Sequence, residues 1–377
     1  MSAMRPLPRW ADVALLPLLN LILAVSVSGL VVLMIGQNPL QAIWTVISGA
    51  FGKPYNIGYT LYYSTNFIFT GLAVAVAAHA GLFNIGGNGQ AYVAGLGAAA
   101  VALALDQTHW LLVMPLAMIA AAICGGVWAF IPGWLQAKRG SHVVITTIML
   151  NFVAAAIMVY MLNRVFKPPQ MMGPESRVIA AAGRVPQLQE FISFFARTPV
   201  NLMLFVAILA LIACYILLWH TKFGFAMRTL GHNPTASTYA GMSNSRIIMI
   251  TMTLSGVLAS MVAVNEVLGV QARLTLDFVA DAGFVGIAVA LMGRNHPVGI
   301  ALAAILFGAL YQGGGELQFV MPGLTREVVV VIQALVILFT GAMEGLLRPP
   351  LQGVFMLFGP SQKAAAMAAA NTRTEGG

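Results

Sequence analysis

The sequence predicts an all-α polytopic membrane protein of about ten transmembrane helices, in two pseudo-repeated halves with broken helices at the centre. Three observations carry that expectation: scarce charge, a series of apolar blocks of spanning length, and two glycine-rich breaks inside apolar groups. Of 377 residues, 59% are hydrophobic and 8% charged, and the mean hydropathy is +0.87. An ordinary soluble domain carries about 25% charged residues. This chain cannot supply such a surface, so lipid replaces water around most of it.

The apolar blocks, taken in order, are 13–35, 57–78, 91–105, 110–131 and 143–162. A polar stretch of about 163–199 follows, then a block at 200–219 and a hydrophilic loop at about 220–246. Four more blocks cover 247–264, 278–292, 298–311 and 328–343. The expected organisation is one transmembrane domain, 1–360, with a disordered Ala-rich tail at 361–377. Arg5 and Arg9 precede a first apolar run too long for a signal-peptide core, which reads as a retained helix. Cys124 and Cys214 each lie inside an apolar block, as small buried hydrophobes rather than a disulfide or metal pair.

The net charge is +8, and the basic residues sit between apolar blocks, which points to membrane topology rather than nucleic acid. Ten spans put both termini on one side. With both termini cytoplasmic, and the long 163–199 loop set aside, Lys and Arg fall eleven inside to three outside.

The stretch G-L-F-N-I-G-G-N-G-Q, Gly81 to Gln90, is the most informative. Glycine lets the backbone leave the helix, and freed backbone groups cannot face lipid. The stretch is therefore enclosed by protein or lines a watery cavity. Asn84, Asn88 and Gln90 offer donors and acceptors suited to a neutral polar solute, and Phe83 a ring for stacking. A second break surrounds Gly283 to Gly299, in the other half. An ordinary capped turn or small-residue packing are the plainer readings of the first break.

The loop from His220 to Arg246 is basic and lacks acidic residues. Asn233-Pro234 marks a helix start and Gly241 an end, so Thr235 to Ala240 reads as a short helix able to dock into a partner. No G-x-x-x-x-G-K-[ST], H-E-x-x-H, C-x-x-C or G-x-S-x-G occurs, so the chain carries no phosphate loop, no metal site and no catalytic set. It is not expected to be an enzyme. Only Asp281 is placed as a carboxylate inside a span, which argues mildly for an external energy source over an ion-coupled carrier acting as a single chain.

Four stretches resemble the permease subunits of ATP-binding-cassette importers for nucleosides and simple sugars, relatives of the branched-chain amino acid and ribose permeases. They are Gly81 to Gln90, S-H-V-V-I-T-T-I-M-L-N from Ser141 to Asn151, R-T-L-G-H-N-P-T-A-S-T-Y-A-G-M from Arg228 to Met242, and G-I-A-V-A-L-M-G-R-N-H-P-V-G-I from Gly286 to Ile300. At Ser141-His142 and at Val285 the chain departs from the nucleoside members. The resemblance implies a multi-pass protein of the bacterial inner membrane that moves nucleosides or simple sugars inward, with branched-chain amino acids or ribose as alternatives. It implies separate ATPase subunits that bind the ATP, so no cofactor of its own, a second homologous permease chain, and a substrate-binding lipoprotein or periplasmic protein. The pathway would be lined by Phe83, Asn84, Gly86, Gly87, Asn88, Gln90, Asn151, Gly283 and Phe284. The ATPases would meet Arg228, Gly231, His232, Asn233, Ala236, Ala240 and Gly241.

Overall fold

The computed structural model describes Pro8, Ala11 and residues 15–321, 323–342 and 348–352. The tail expected at 361–377 and the two chain ends lie outside the described residues. The described residues are helical with no extended strand; Gln187 and Asn201 form an isolated bridge.

In order, the helices are α1 (Leu16–Met34), α2 (Pro39–Phe51), α3 (Pro54–His79), α4 (Gly87–Leu105), α5 (Trp110–Arg139), α6 (Val143–Met161) and α7 (Met203–His220). Then come α8 (Lys222–His232), α9 (Pro234–Tyr239), α10 (Asn244–Ala263), α11 (Ala282–Met292), α12 (Pro297–Val320) and α13 (Arg326–Ala342). Two π-helical stretches, Leu162–Phe166 and Val264–Val270, prolong α6 and α10.

Each of the ten expected blocks coincides with a helix. Among the described residues, seven helices are long and apolar enough to cross a membrane alone, and an eighth is reached if α1 and α2 are one broken span. The eighth block is a half-length helix, α11, of 11 residues, because the chain enters it through a left-handed residue, Asp281 (φ 57°). The element with no counterpart among the blocks is α2. In place of one loop at 220–246 there are two helices, α8 and α9.

The chain divides into two compact units. One comprises 1–39 and 330–377, where α1 and most of α13 lie. The other, Leu40–Val329, holds α2 to α12. Within this second unit α3 is the axial element, packed against α7, α10, α11 and α12, and 78% of its most apolar window is buried. Its buried hydroxyls return to carbonyls one turn back, as in Ser64 Oγ to Thr60 O (2.6 Å) and Thr65 Oγ1 to Leu61 O (2.8 Å), so a polar stripe crosses the unit without orphaned groups. By contrast α5, α6 and α7 expose large apolar side chains such as Ile123, Phe152 and Leu209, the surface that acyl chains cover.

The two ends of α3 sort the loops. At its start, Gly58 lies against Thr198 of the long 162–202 segment. That same segment ties down α4 through Arg177 to Asp106 and the 271–275 turn through Glu175 to Arg273. At its far end, His79 Nε2 meets Asn295 O (3.1 Å) between α11 and α12, and Gly81 lies against Gly231 of α8. About 26 residues of helix, roughly 39 Å, separate the two sets.

Candidate functional site

The break after α3 is shorter than expected. Gly81 turns the chain with φ +71°, and α4 begins at Gly87, so Gly87 to Gln90 form its first turn. Three amide side chains build this turn. Asn84 Oδ1 accepts from Gly86 N (2.8 Å) and from Gln90 Nε2 (3.1 Å), while Asn84 Nδ2 donates to Gln90 Oε1 (3.1 Å) and to Ser255 Oγ of α10 (2.7 Å). From α6, Asn151 Oδ1 accepts from Gly89 N (2.9 Å) and Asn151 Nδ2 donates to Ile85 O (2.9 Å). The first N–H groups of a helix have no partner within it. Here Asn151 of α6 supplies one for Gly89 N–H, and Asn84, Gln90 and Asn151 spend their polar atoms holding the break.

The fourth amide joins the two breaks. Asn88 Nδ2 donates to Asp281 Oδ1 (3.0 Å) and Asn88 Oδ1 accepts from Gly283 N (2.8 Å). The N-termini of α4 and α11 therefore abut. A side chain on Gly283 would begin 2.8 Å from Gly87 C, so the approach requires glycine there, and one on Gly87 would begin 3.2 Å from Gly283 Cα, a tight fit that would press the two backbones apart. Gly86, Gly87 and Gly283 are buried, Phe83 is half-buried, and Phe284 is 45% exposed. Asp281 is exposed beside them, as the residue that immediately precedes the half-length helix α11.

At this same end of α3, α8 and α9 follow one another on the surface. Asn233 breaks the two helices and caps the second, with Oδ1 accepting from Thr235 N (3.0 Å) and Ala236 N (3.1 Å). Gly231, His232, Asn233, Ala236, Ala240 and Gly241 are exposed, and Arg228 is half-buried on α8. Of α9 only Ser237 is buried, while Tyr239 is 89% exposed. Gly231 is wedged on the break itself: a side chain there would begin 2.4 Å from His79 O and 3.0 Å from Gly81 N.

A further polar cluster escaped the sequence. Glu266 is buried in the π-helical stretch that prolongs α10. Its Oε1 accepts from Tyr62 Oη (2.6 Å) and Asn66 Nδ2 (2.6 Å) of α3. Asn265 Nδ2 donates to Asn66 Oδ1 (2.8 Å), and Asn201 Nδ2 to Asn265 Oδ1 (2.8 Å), so the cluster runs to the end of the long outer segment. The readable signal was Tyr55, Tyr59, Tyr62 and Tyr63, which share one face of a helix.

The profile of the branched-chain amino acid transport system permease component matches residues 56–341. The chain belongs to this family. Among relatives, the permease is 36% identical over 334 residues to the guanosine ABC transporter permease protein NupP of Bacillus subtilis, covering 87% of this chain and 93% of the relative. It is 33% identical to the nucleoside ABC transporter permease protein NupB of Lactococcus lactis (86% and 90% covered). It is 32% identical to the glucose ABC transporter permease protein TsgB13 of Haloferax volcanii (89% and 88% covered). No solved structure matches. The permease is thus a multi-pass transmembrane subunit of the ABC-transporter type, and its relatives are permeases rather than enzymes. No group of three or more His, Cys, Asp or Glu suited to a metal ion occurs among the described residues.

Proposed function

We propose that the permease carries nucleosides inward across the plasma membrane, driven by separate ATPase subunits that dock on α8 and α9. The observation that carries the coupling is the seat of Gly231 on His79 and Gly81. One rigid step connects an exposed, basic surface helix to the break that holds the N-termini of α4 and α11. Nucleosides are favoured over sugars because the relatives NupP and NupB, at 36% and 33% identity, are named for guanosine and nucleosides, against one named for glucose at 32%.

In this reading the 221–246 side faces the cytoplasm and the 162–202 segment faces the receptor that delivers solute. A second permease chain completes the pathway, and ATP binds only to the partner subunits. ATPase closure pushes α9, whose exposed residues include Ala236, Ala240 and Gly241. α8 passes the motion through Gly231 to the break. Asn84, Gln90 and Asn151 keep the break rigid, so it moves as a body, and Asn88 conveys the movement to Asp281 and Gly283. The pathway is lined where Phe83, Asn88, Gly283 and Phe284 meet it, and access alternates between the two faces.

Tyr239→Cys tests the docking face. It should crosslink to the co-expressed ATPase in an actively transporting complex. An active complex giving no crosslink from Tyr239 contradicts the assignment.

A further inference from the structure

The helix geometry gives each pathway element a depth. The contact between His79 Nε2 and Asn295 O puts the end of α3 level with the turn between α11 and α12. From that level Asp281, one residue before α11, is about 16 Å away along the helix at 1.5 Å per residue. Tyr311 of α12 is about 21 Å away and Tyr63 of α3 about 24 Å, out of roughly 30 Å of hydrocarbon. With that level as the cytoplasmic edge of the hydrocarbon, as the importer reading above has it, all three stand at the middle or outer-middle depth.

They also stand together. The Tyr63 and Tyr311 rings have centroids 5.7 Å apart, tilted at 50°, with Phe67 behind at 5.0 Å from Tyr311. Tyr62 adjoins Tyr63 at 4.8 Å, and Tyr59 and Tyr55 continue the file toward the receptor end of α3. Gly286 of α11 seats on Thr70 of α3, so Asp281, five residues before Gly286, falls near the level of Tyr63, seven residues before Thr70. Tyr59, Tyr62, Tyr63 and Tyr311 are all partly exposed, and Asp281 is exposed with one oxygen committed to Asn88. An open carboxylate at this depth cannot face acyl chains. The surface it shares with the rings therefore faces a wet space.

We propose that Tyr63, Tyr311 and Asp281 form one wall of a nucleoside subsite at mid-depth in the permease, reached along the file of tyrosines on α3. The proposal rests on the importer reading above and names its solute contacts. A base has a flat π-face for the tilted rings, and its ring N–H or amino groups, or the ribose hydroxyls, donate to the free oxygen of Asp281. The second half of the junction contributes as well: the start of α11, set by Asp281 in the left-handed conformation, would shift whenever Asn88 moves, loosening the carboxylate's hold as access changes.

The test uses the complete complex, with its ATPases and receptor, in proteoliposomes loaded with ATP. Uptake of labelled guanosine and receptor-stimulated ATP hydrolysis are measured together. Tyr63→Ala and Tyr311→Ala should each lower guanosine uptake about tenfold, the size of a lost base–aromatic stack, with stimulated hydrolysis retained. Asp281→Asn, which tolerates the left-handed backbone, should do the same. Tyr311→Phe, which keeps the ring, should recover most of the uptake, and Tyr160→Ala on the lipid-facing surface of α6 should leave it unchanged. If an alanine variant loses stimulated hydrolysis as well, protection of Tyr311→Cys from a thiol reagent by guanosine, with Cys124 and Cys214 replaced, decides: protection supports the subsite and its absence overturns it. Normal uptake in both Tyr→Ala variants overturns the subsite alone. A wild-type complex that takes up glucose and no nucleoside overturns the solute class, and one that takes up nothing with ATP overturns the importer reading beneath it.

Discussion

Asn88 on the first turn of α4 holds the first turn of α11 by both ends of its amide, donating to Asp281 and accepting from the backbone N–H of Gly283. These residues lie 193 and 195 positions apart in the chain. One side chain therefore fastens the two broken helices N-terminus to N-terminus.

Replacing that amide should loosen the junction. Asn88→Leu leaves the buried Gly283 N–H without its partner, at a cost on the order of 1–3 kcal/mol, and frees the exposed Asp281 carboxylate to water. The purified permease should melt several degrees lower, and uptake should fall. Asn84→Leu should cost at least as much, because Gly86 N, Gln90 and Ser255 all lose a partner. Unchanged thermal stability of both variants in detergent would contradict the geometry of the break.

The seat of Gly231 leads to an uncoupling variant. Its missing side chain is replaced in space by His79 O, a backbone atom that cannot swing aside. Gly231→Ala should push α8 off the break at about 1–3 kcal/mol, typical of overpacking. ATP hydrolysis by the assembled complex should persist while uptake falls severalfold. Equal losses of hydrolysis and uptake would mean that Gly231 matters for assembly instead.

The outer segment carries an acid-sensitive anchor. Asp106 is almost fully buried, and the Arg177 guanidinium holds its carboxyl below the ordinary aspartate range, with Ala180 N–H assisting. A depressed folded value means the anchor's contribution is complete above about pH 4, the unfolded aspartate range, and is lost as pH falls through the lower folded value. Arg177 is 48% exposed, so the pair contributes on the order of 1 kcal/mol. Limited proteolysis of the 162–202 segment should be flat from pH 7 to about 4 and rise below it. Arg177→Met should raise proteolysis above about pH 4 and flatten the acid-induced rise, because the folded value moves back toward the unfolded one; an unaltered acid rise would place the anchor elsewhere.

Glu266 separates a hydrogen-bonding role from a charge role. Glu266→Gln retains an oxygen for Tyr62 and Asn66 and should leave a folded complex. Glu266→Leu orphans both donors and should destabilise the second unit by about 2–5 kcal/mol. Similar melting of the Gln and Leu variants would show that the cluster contributes little.

Much of this was legible in the sequence. All ten apolar blocks became helices, because lipid-facing helices announce themselves by composition. Gly81 to Gln90 and Asn233-Pro234 were readable because glycine and proline act locally on the backbone. The rest required knowledge of distant neighbours. α8 was read as loop because its stability comes from seating Met227 and Leu230, both buried, rather than from a long apolar run. Asn84 and Gln90 invited a solute-binding reading, yet each is the other's partner. The burial of Glu266 was not legible because nothing local reveals Tyr62 and Asn66, some 200 positions earlier.

The account depends most on ATP-driven movement of solute by this chain with separate ATPases. The direct measurement is uptake of labelled guanosine into vesicles holding the permease, its second permease chain, its receptor and the ATPases, compared with and without ATP and with and without the ATPases. Uptake only when ATP and the ATPases are both present is the expected result. Uptake by the permease chain alone, driven by an imposed proton or sodium gradient, would contradict the account.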